Sequence, residues 1–320
     1  MDLGIQIEPQ FGFSYDDIVG IGKAGEANGF SRLWLSDHLF LDPDAVRTDC
    51  LEAWTALAAL SRDLSRIRIG AMVTCQSYRN PALLAKIAAG VDQLSGGRLE
   101  FGIGAGWKEV EYKAYGYEFP SAPVRVDELV DTIEICTRLW REDKATYHGK
   151  RYSIDDALCA PKPVQSPLPI WIGGSLPRIF RIAAKYGHWM NHTKAVTLDS
   201  VRIRQDALDA ACRDRKRDPK SLKRSAFLTV VAGATARDVE ALVADTARST
   251  DQTPEQWRAE RPAAIIGTPD QVTARLREYA KAGIDHVNAL FPYTREAEII
   301  EVLGREVVPA LAEVGPASVT

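Results

Sequence analysis

The chain has 320 residues, 46% apolar and 26% charged, close to the balance of a globular protein and unlike a disordered, collagenous or coiled-coil one. Forty Lys and Arg against 43 Asp and Glu leave a net charge of −3, which argues against a protein that holds nucleic acid through a basic surface. No apolar stretch approaches the ~18–20 residues of a membrane span, and the start MDLGIQIEP lacks the basic segment of a secretory leader.

In chain order, apolar and β-branched runs predict eight strands: Leu3–Ile7, Arg32–Ser36, Ile67–Thr74, Leu99–Gly104, Pro169–Gly173, His188–Asn191, Ala226–Ala232 and His286–Phe291. Their apolar character is continuous rather than alternating, as strands covered on both faces require. Helical patterns separate them. Ser14 with Asp17 predicts a capped helix start, and Thr268-Pro269-Asp270-Gln271 predicts another, with proline at the first helical position. Asn28-Gly29, Tyr186-Gly187 and Ala282-Gly283 read as helix ends that use glycine in the left-handed conformation. Leu129, Ile133, Cys136 and Trp140 share one helical face, as do Ile299, Leu303 and Val307, and both faces read as core.

Eight strand–helix units in this length predict an α/β fold of the (β/α)8 TIM-barrel class, as a single domain over residues 1–320. A doubly wound sheet is the alternative, but its phosphate turn should follow the first strand, where Glu8-Pro9-Gln10 carries no glycine. Residues 145–168 interrupt the repeat: Tyr147 to Tyr152 suggests a hairpin, and Pro161, Pro163 and Pro167 an extended tail. We read this as an insertion between the fourth helix and fifth strand. Arg213 to Lys220 is the one basic cluster, and Asp214 and Asp218 dilute it to a solvated helix end. Five scattered cysteines form no CxxC pair, which predicts neither a zinc site nor a disulfide framework and fits a reducing cytoplasm.

In a barrel the chemistry belongs to the loops at the C-terminal ends of the strands. Asp37-His38 ends the second strand: the histidine is either a proton carrier with a carboxylate beside it or a structural residue after a capping aspartate. Gly102-Ile103-Gly104-Ala105-Gly106 ends the fourth, and Trp107 follows it. The glycines either admit a ligand close to the backbone or serve a strand-end bulge. Gly173-Gly174-Ser175 precedes a helix start at Leu176-Pro177, where backbone N–H groups suit a phosphate and Ser175 alternatively acts as a plain cap. No HExxH, GxSxG or P-loop pattern occurs, and no metal site is expected.

Several segments taken in order resemble the bacterial luciferase-like family, in particular its F420-dependent oxidoreductase branch. They are Trp34-Leu35-Ser36-Asp37-His38, Ile69 to Thr74, Arg79-Asn80-Pro81, Leu94 to Arg98, Gly102 to Trp107, Tyr115 to Pro120, Arg125 to Glu128, Pro161 to Gln165, Pro169 to Ser175 and Gly267-Thr268-Pro269. The resemblance implies a deazaflavin, F420, in the barrel mouth; some relatives bind FMN there instead. It implies that Asp37 and His38 touch the ring region, His38 as an acid–base or electrostatic partner. Met72-Val73 is implied to form a cis bulge behind the ring, and Ala105, Gly106, Trp107, Gly173, Gly174 and Ser175 to line the cofactor. Relatives are commonly dimers, so a homodimer acting on a small molecule is implied.

Two departures stand out. In sugar-phosphate dehydrogenases of this branch a glutamate acid stands where this chain has Trp107, and an indole cannot replace it as a proton donor. The tryptophan fits an apolar or aromatic substrate. Secondly, the segment Tyr186-Gly187-His188-Trp189-Met190-Asn191 stands where many relatives read Asp-Gly-Trp. The expected activity is hydride transfer between F420 and a small organic substrate. The alternatives are an FMN-dependent monooxygenase and a barrel that binds flavin without catalysis.

Overall fold

A computed structural model describes residues 1–193, 196–293 and 295–312. Eight strands line the centre: β1 (Asp2–Ile7), β2 (Arg32–Leu35), β3 (Arg68–Ala71), β4 (Leu99–Gly104), β5 (Ile170–Gly174), β6 (Trp189–His192), β7 (Lys223–Ala232) and β8 (His286–Leu290). Each pairs in parallel with the next, and β8 returns to β1 in the register Asp2↔His286 to Gln6↔Leu290. That last pairing closes the sheet into a TIM barrel and excludes the open doubly wound alternative.

Helices between the strands cover the outer wall. The first, Tyr15–Ala27, starts at the expected capping box of Ser14 and Asp17, and the helix Pro269–Lys281 at that of Thr268 and Gln271. Two of the glycine junctions take positive φ, +78° at Gly29 and +87° at Gly283, as expected. Gly187 differs: at φ −74°, ψ 142° it is extended and leads straight into β6. Leu129, Ile133, Cys136, Trp140, Ile299, Leu303 and Val307 are all buried in the hydrophobic core. Each such side chain taken from water stabilises the fold by about 1.5–3 kcal/mol.

The interior has its own packing. Trp171 stacks on Trp189 with centroids 4.1 Å apart, and Trp34 meets Trp171 edge-on at 4.7 Å. Glycines make the room: a Cβ on Gly70 would stand 2.7 Å from the Trp34 ring. Toward the N-terminal ends of the strands, the Arg32 guanidinium lies 5.1 and 5.0 Å from the Trp171 and Trp189 rings. Its Nε donates to Glu100 at 3.1 Å and its Nη1 to Asp2 at 2.9 Å, while Trp171 Nε1 donates to Glu100 at 2.6 Å. His286 pairs with Asp2 in the same layer. Charges and indoles thus fill the base of the barrel.

Two segments depart from the simple repeat. The predicted strand over 67–74 is broken after Ala71 by a cis Met72–Val73 peptide, and resumes as Thr74–Cys75 beside β4. The insertion forms the antiparallel hairpin Ala145–His148 with Ser153–Ala157. Asp131 holds it, accepting from the Tyr147 hydroxyl at 2.9 Å and from the amides of Arg151 and Tyr152 at 2.6 and 3.1 Å. Among the described residues no helix is long and apolar enough to cross a membrane.

Candidate active site

Because all eight strands run parallel, the loops after β2, β3, β4 and β5 emerge at one end. This brings Asp37 and His38, Met72 and Val73, Ala105 to Trp107, and Gly173 to Ser175 to the same mouth.

Asp37 lies beneath the surface of the mouth, 5% exposed. Its carboxylate takes a two-pronged contact from Arg79, Nη1 to Oδ2 at 2.7 Å and Nη2 to Oδ1 at 2.9 Å, and the Cys75 amide at 2.9 Å. Arg79 also pairs with Glu52, which caps the helix Ala53–Asp63. Asp37 therefore ties the end of β2 to the segment that follows the cis bulge. A buried carboxylate is tolerable only when paired in this way.

The glycines serve that bulge. A Cβ on Gly102 would stand 2.0 Å from the Ala71 carbonyl oxygen; on Gly104 or Gly173 it would stand 2.7 Å from a Val73 methyl. The space that glycine provides at these ends of β4 and β5 is thus occupied by Ala71 to Val73. Gly106, at φ +74°, lies against Tyr112: a Cβ there would come within 1.9 Å of the tyrosine hydroxyl. That hydroxyl reaches Cys75 Sγ at 3.1 Å and donates to Ser77 at 3.0 Å, locking the loops after β3 and β4 together. Ala105 is half-buried beside it.

His38 is more open, with 18% of its side chain exposed. Its Nδ1 contacts both oxygens of Glu111, at 3.0 and 3.2 Å, and its ring meets Trp107 edge-on at 5.7 Å. Trp107 itself is 59% exposed. Glu111, on the helix Glu109–Ala114, is fully buried. It also accepts from the amides of Leu39 (2.9 Å) and Phe40 (3.4 Å), the Tyr78 hydroxyl (2.7 Å) and the Lys108 ammonium (3.2 Å). Burial by itself raises a carboxyl pKa, but these contacts, led by His38, outweigh it and hold Glu111 down at about 2.

At the end of β5 the helix Pro177–Tyr186 has Leu176, not Ser175, at its cap position, so Ser175 stands one residue outside the helix. The structure puts His188 elsewhere. Its Nδ1 accepts the Ile170 amide at 3.1 Å at the opposite end of the barrel, away from the mouth.

Sequence reasoning missed Glu111 and Tyr112, and also Gln10, whose Oε1 accepts from Ser36 at 2.7 Å. The signal for Glu111 is faint: an acid four residues after Trp107, in a segment that otherwise reads as a charged surface helix.

A family model described as "Luciferase-like monooxygenase" matches residues 2–286. The chain belongs to that family. Among its curated relatives, an F420-dependent glucose-6-phosphate dehydrogenase of Microbacterium testaceum is 32% identical over 54% of this chain. The match spans only 51% of that relative. A protein of the same name from Amycolatopsis mediterranei is 24% identical over 95% of this chain and 96% of its own length. Among solved structures, an F420-dependent secondary alcohol dehydrogenase with an F420–acetone adduct superposes with a TM-score of 0.79. It covers 97% of this chain and 98% of its own at 22% identity, a likeness of fold. The luciferase-like chain described here is an oxidoreductase, as its sequence led us to expect.

Proposed function

We propose that this barrel is an F420-dependent oxidoreductase acting on a small organic substrate of apolar or aromatic character. The curated relatives named for F420 support the cofactor over FMN. The residues at the mouth suit a ring of the flavin or deazaflavin type. Gln6 Oε1, near the end of β1, and Thr74 Oγ1, just past the bulge, are buried polar atoms with no hydrogen-bond partner in the protein. They fit a planar ring whose edge carries both N–H and carbonyl groups. When bound, F420 supplies a ring carbon that gives or accepts a hydride.

The chain's own groups then have distinct tasks. Met72 and Val73 back the ring, with Val73 seated against Gly104 and Gly173. Asp37 acts from beneath by fixing Arg79 and Cys75, and Ala105 and Gly106 lie along the loop that borders the ring. Gly173, Gly174 and Ser175, before the helix Pro177–Tyr186, offer a phosphate their position near the helix N-terminus. His38 carries the proton, and Trp107 shields it from water on its open side. A homodimer in a reducing cytoplasm belongs to this reading, supported by the family's habit and by five free cysteines.

The observation that carries the proposal is the His38 ring held at the mouth, one nitrogen engaged by Glu111 and its edge against Trp107. Fluorescence titration of the purified protein with F420 and with FMN tests it. F420 is expected to bind more tightly. Micromolar FMN binding with none for F420 would move the chain to the monooxygenase reading.

A further inference from the structure

We propose that Glu111 is a positioning residue for His38: it dictates which ring nitrogen carries the proton and which is left to exchange one with substrate. The activity part rests on the F420 reading above; the protonation part does not.

The argument begins with what faces the carboxylate. Glu111 is completely buried, and a buried charge needs donors on every side. It has five: His38 Nδ1, the amides of Leu39 and Phe40, the Tyr78 hydroxyl and the Lys108 ammonium. An ionised carboxylate only accepts, so the His38 nitrogen facing it must be N–H whether the ring is neutral or cationic. The neutral ring is thereby confined to the Nδ1–H tautomer. Nε2 becomes the one site where a proton can come or go, which is what a group exchanging a proton with a substrate hydroxyl requires.

A simpler role is conceivable for Glu111, that of a clamp on residues 38–41. Lys108 already does that work: its ammonium donates to the carbonyls of Phe40 and Leu41 at 2.6 and 2.7 Å. The paired contact to His38 goes beyond it. Nor does Glu111 need to reach the reacting atoms; it acts through the imidazole.

The test uses full-length protein with 15N-labelled histidine, and His38→Ala assigns the His38 signals among the five histidines. In the cofactor-free wild type at alkaline pH, His38 is expected as the Nδ1–H tautomer alone. Finding Nε2–H there overturns the proposal without recourse to any Glu111 variant. Glu111→Gln offers one acceptor oxygen and an NH2 that can donate to Nδ1, so it is expected to populate both tautomers; Glu111→Asp is expected to restore one. With a substrate turned over by the wild type, Glu111→Gln is expected to lower kcat at least about 10-fold, part of the ~10²–10⁴-fold that one acid–base group contributes. F420 affinity should stay within about twofold. A Glu111→Gln variant with a lower Tm but the wild-type tautomer and kcat makes Glu111 a clamp only. Failure to bind F420 in a wild type that shows the predicted tautomer overturns the functional reading and leaves the Glu111–His38 pairing standing.

Discussion

The residue that most directly separates chemistry from architecture is His38. It sits on a loop, partly open, with its contacts to Glu111 and Trp107 confined to the mouth. His38→Ala is expected to lower turnover by ~10²–10⁴-fold, the range for one acid–base group. The melting temperature should fall as well, because Glu111 loses a donor, so turnover is read per folded molecule. A drop in Tm with unchanged activity per folded molecule would instead make it structural. Position and side-chain type were enough to single out Asp37 and His38 in the sequence. Their partners were not visible there. Arg79 lies 42 residues from Asp37, and Glu111 lies 73 from His38, so no local pattern links them. Glu111 also follows Glu109 and precedes Lys113, company in which a buried acid looks like part of a solvated helix face.

Elements show a similar division. All eight strands were legible because continuous apolar runs mark strands covered on both faces. The interruption of β3 was not legible from periodicity, since Met72 and Val73 are as apolar as their neighbours. Only the family resemblance suggested it. The glycines of β4 and β5 admitted two readings, and the structure adds that their room is taken by Ala71 to Val73. Gly173→Ala should therefore force Val73 to move. Overpacking of this kind costs about 1–3 kcal/mol, and because the bulge would shift, F420 affinity is expected to fall at least tenfold. Gly20→Ala is the control. It lies in the first helix with nothing within 4 Å of the added methyl, and should leave F420 binding unchanged while the helix gains up to about 1 kcal/mol. Equal affinity in the two variants would detach the cradle from the cofactor.

At the scale of the molecule, buried histidines give the stability its pH dependence. His192, at the end of β6, is fully buried with its ring edge-on to Phe180 at 6.1 Å. Burial, with Arg204 and Arg224 adding to it, pushes its imidazole down to about 4 from the ordinary 6.5, and burial lowers His188 and His286 too. A depressed histidine is neutral in the fold and takes up its proton more readily once unfolded. Its contribution is therefore complete above pH 6.5 and is lost progressively as the pH falls toward 4. Denaturant melts at pH 7.5 and 5 should show the wild type losing stability on acidification, and His192→Phe losing less. An equal loss in both would take His192 out of the account. Overall charge and composition, though read correctly, hold no trace of this, because it depends on which histidines the fold buries.

The filled base of the barrel has a kinetic consequence. Among the described residues, Trp34, Trp171 and Trp189 pack above the Arg32–Glu100–Asp2–His286 layer and fill the base of the barrel. On the proposed function, cofactor and substrate both enter by the mouth, and traffic through it is single file. A ring resting on the Met72–Val73 bulge, as proposed, would lie deeper than a substrate beneath Trp107, and would enter first and depart last. A dead-end substrate analogue should then slow F420 release after stopped-flow dilution. Identical release rates with and without the analogue would show that the deazaflavin has a path past its co-substrate. On that reading, residence time belongs to the outer ligand: whatever sits beneath Trp107 would govern how long the deeper one stays.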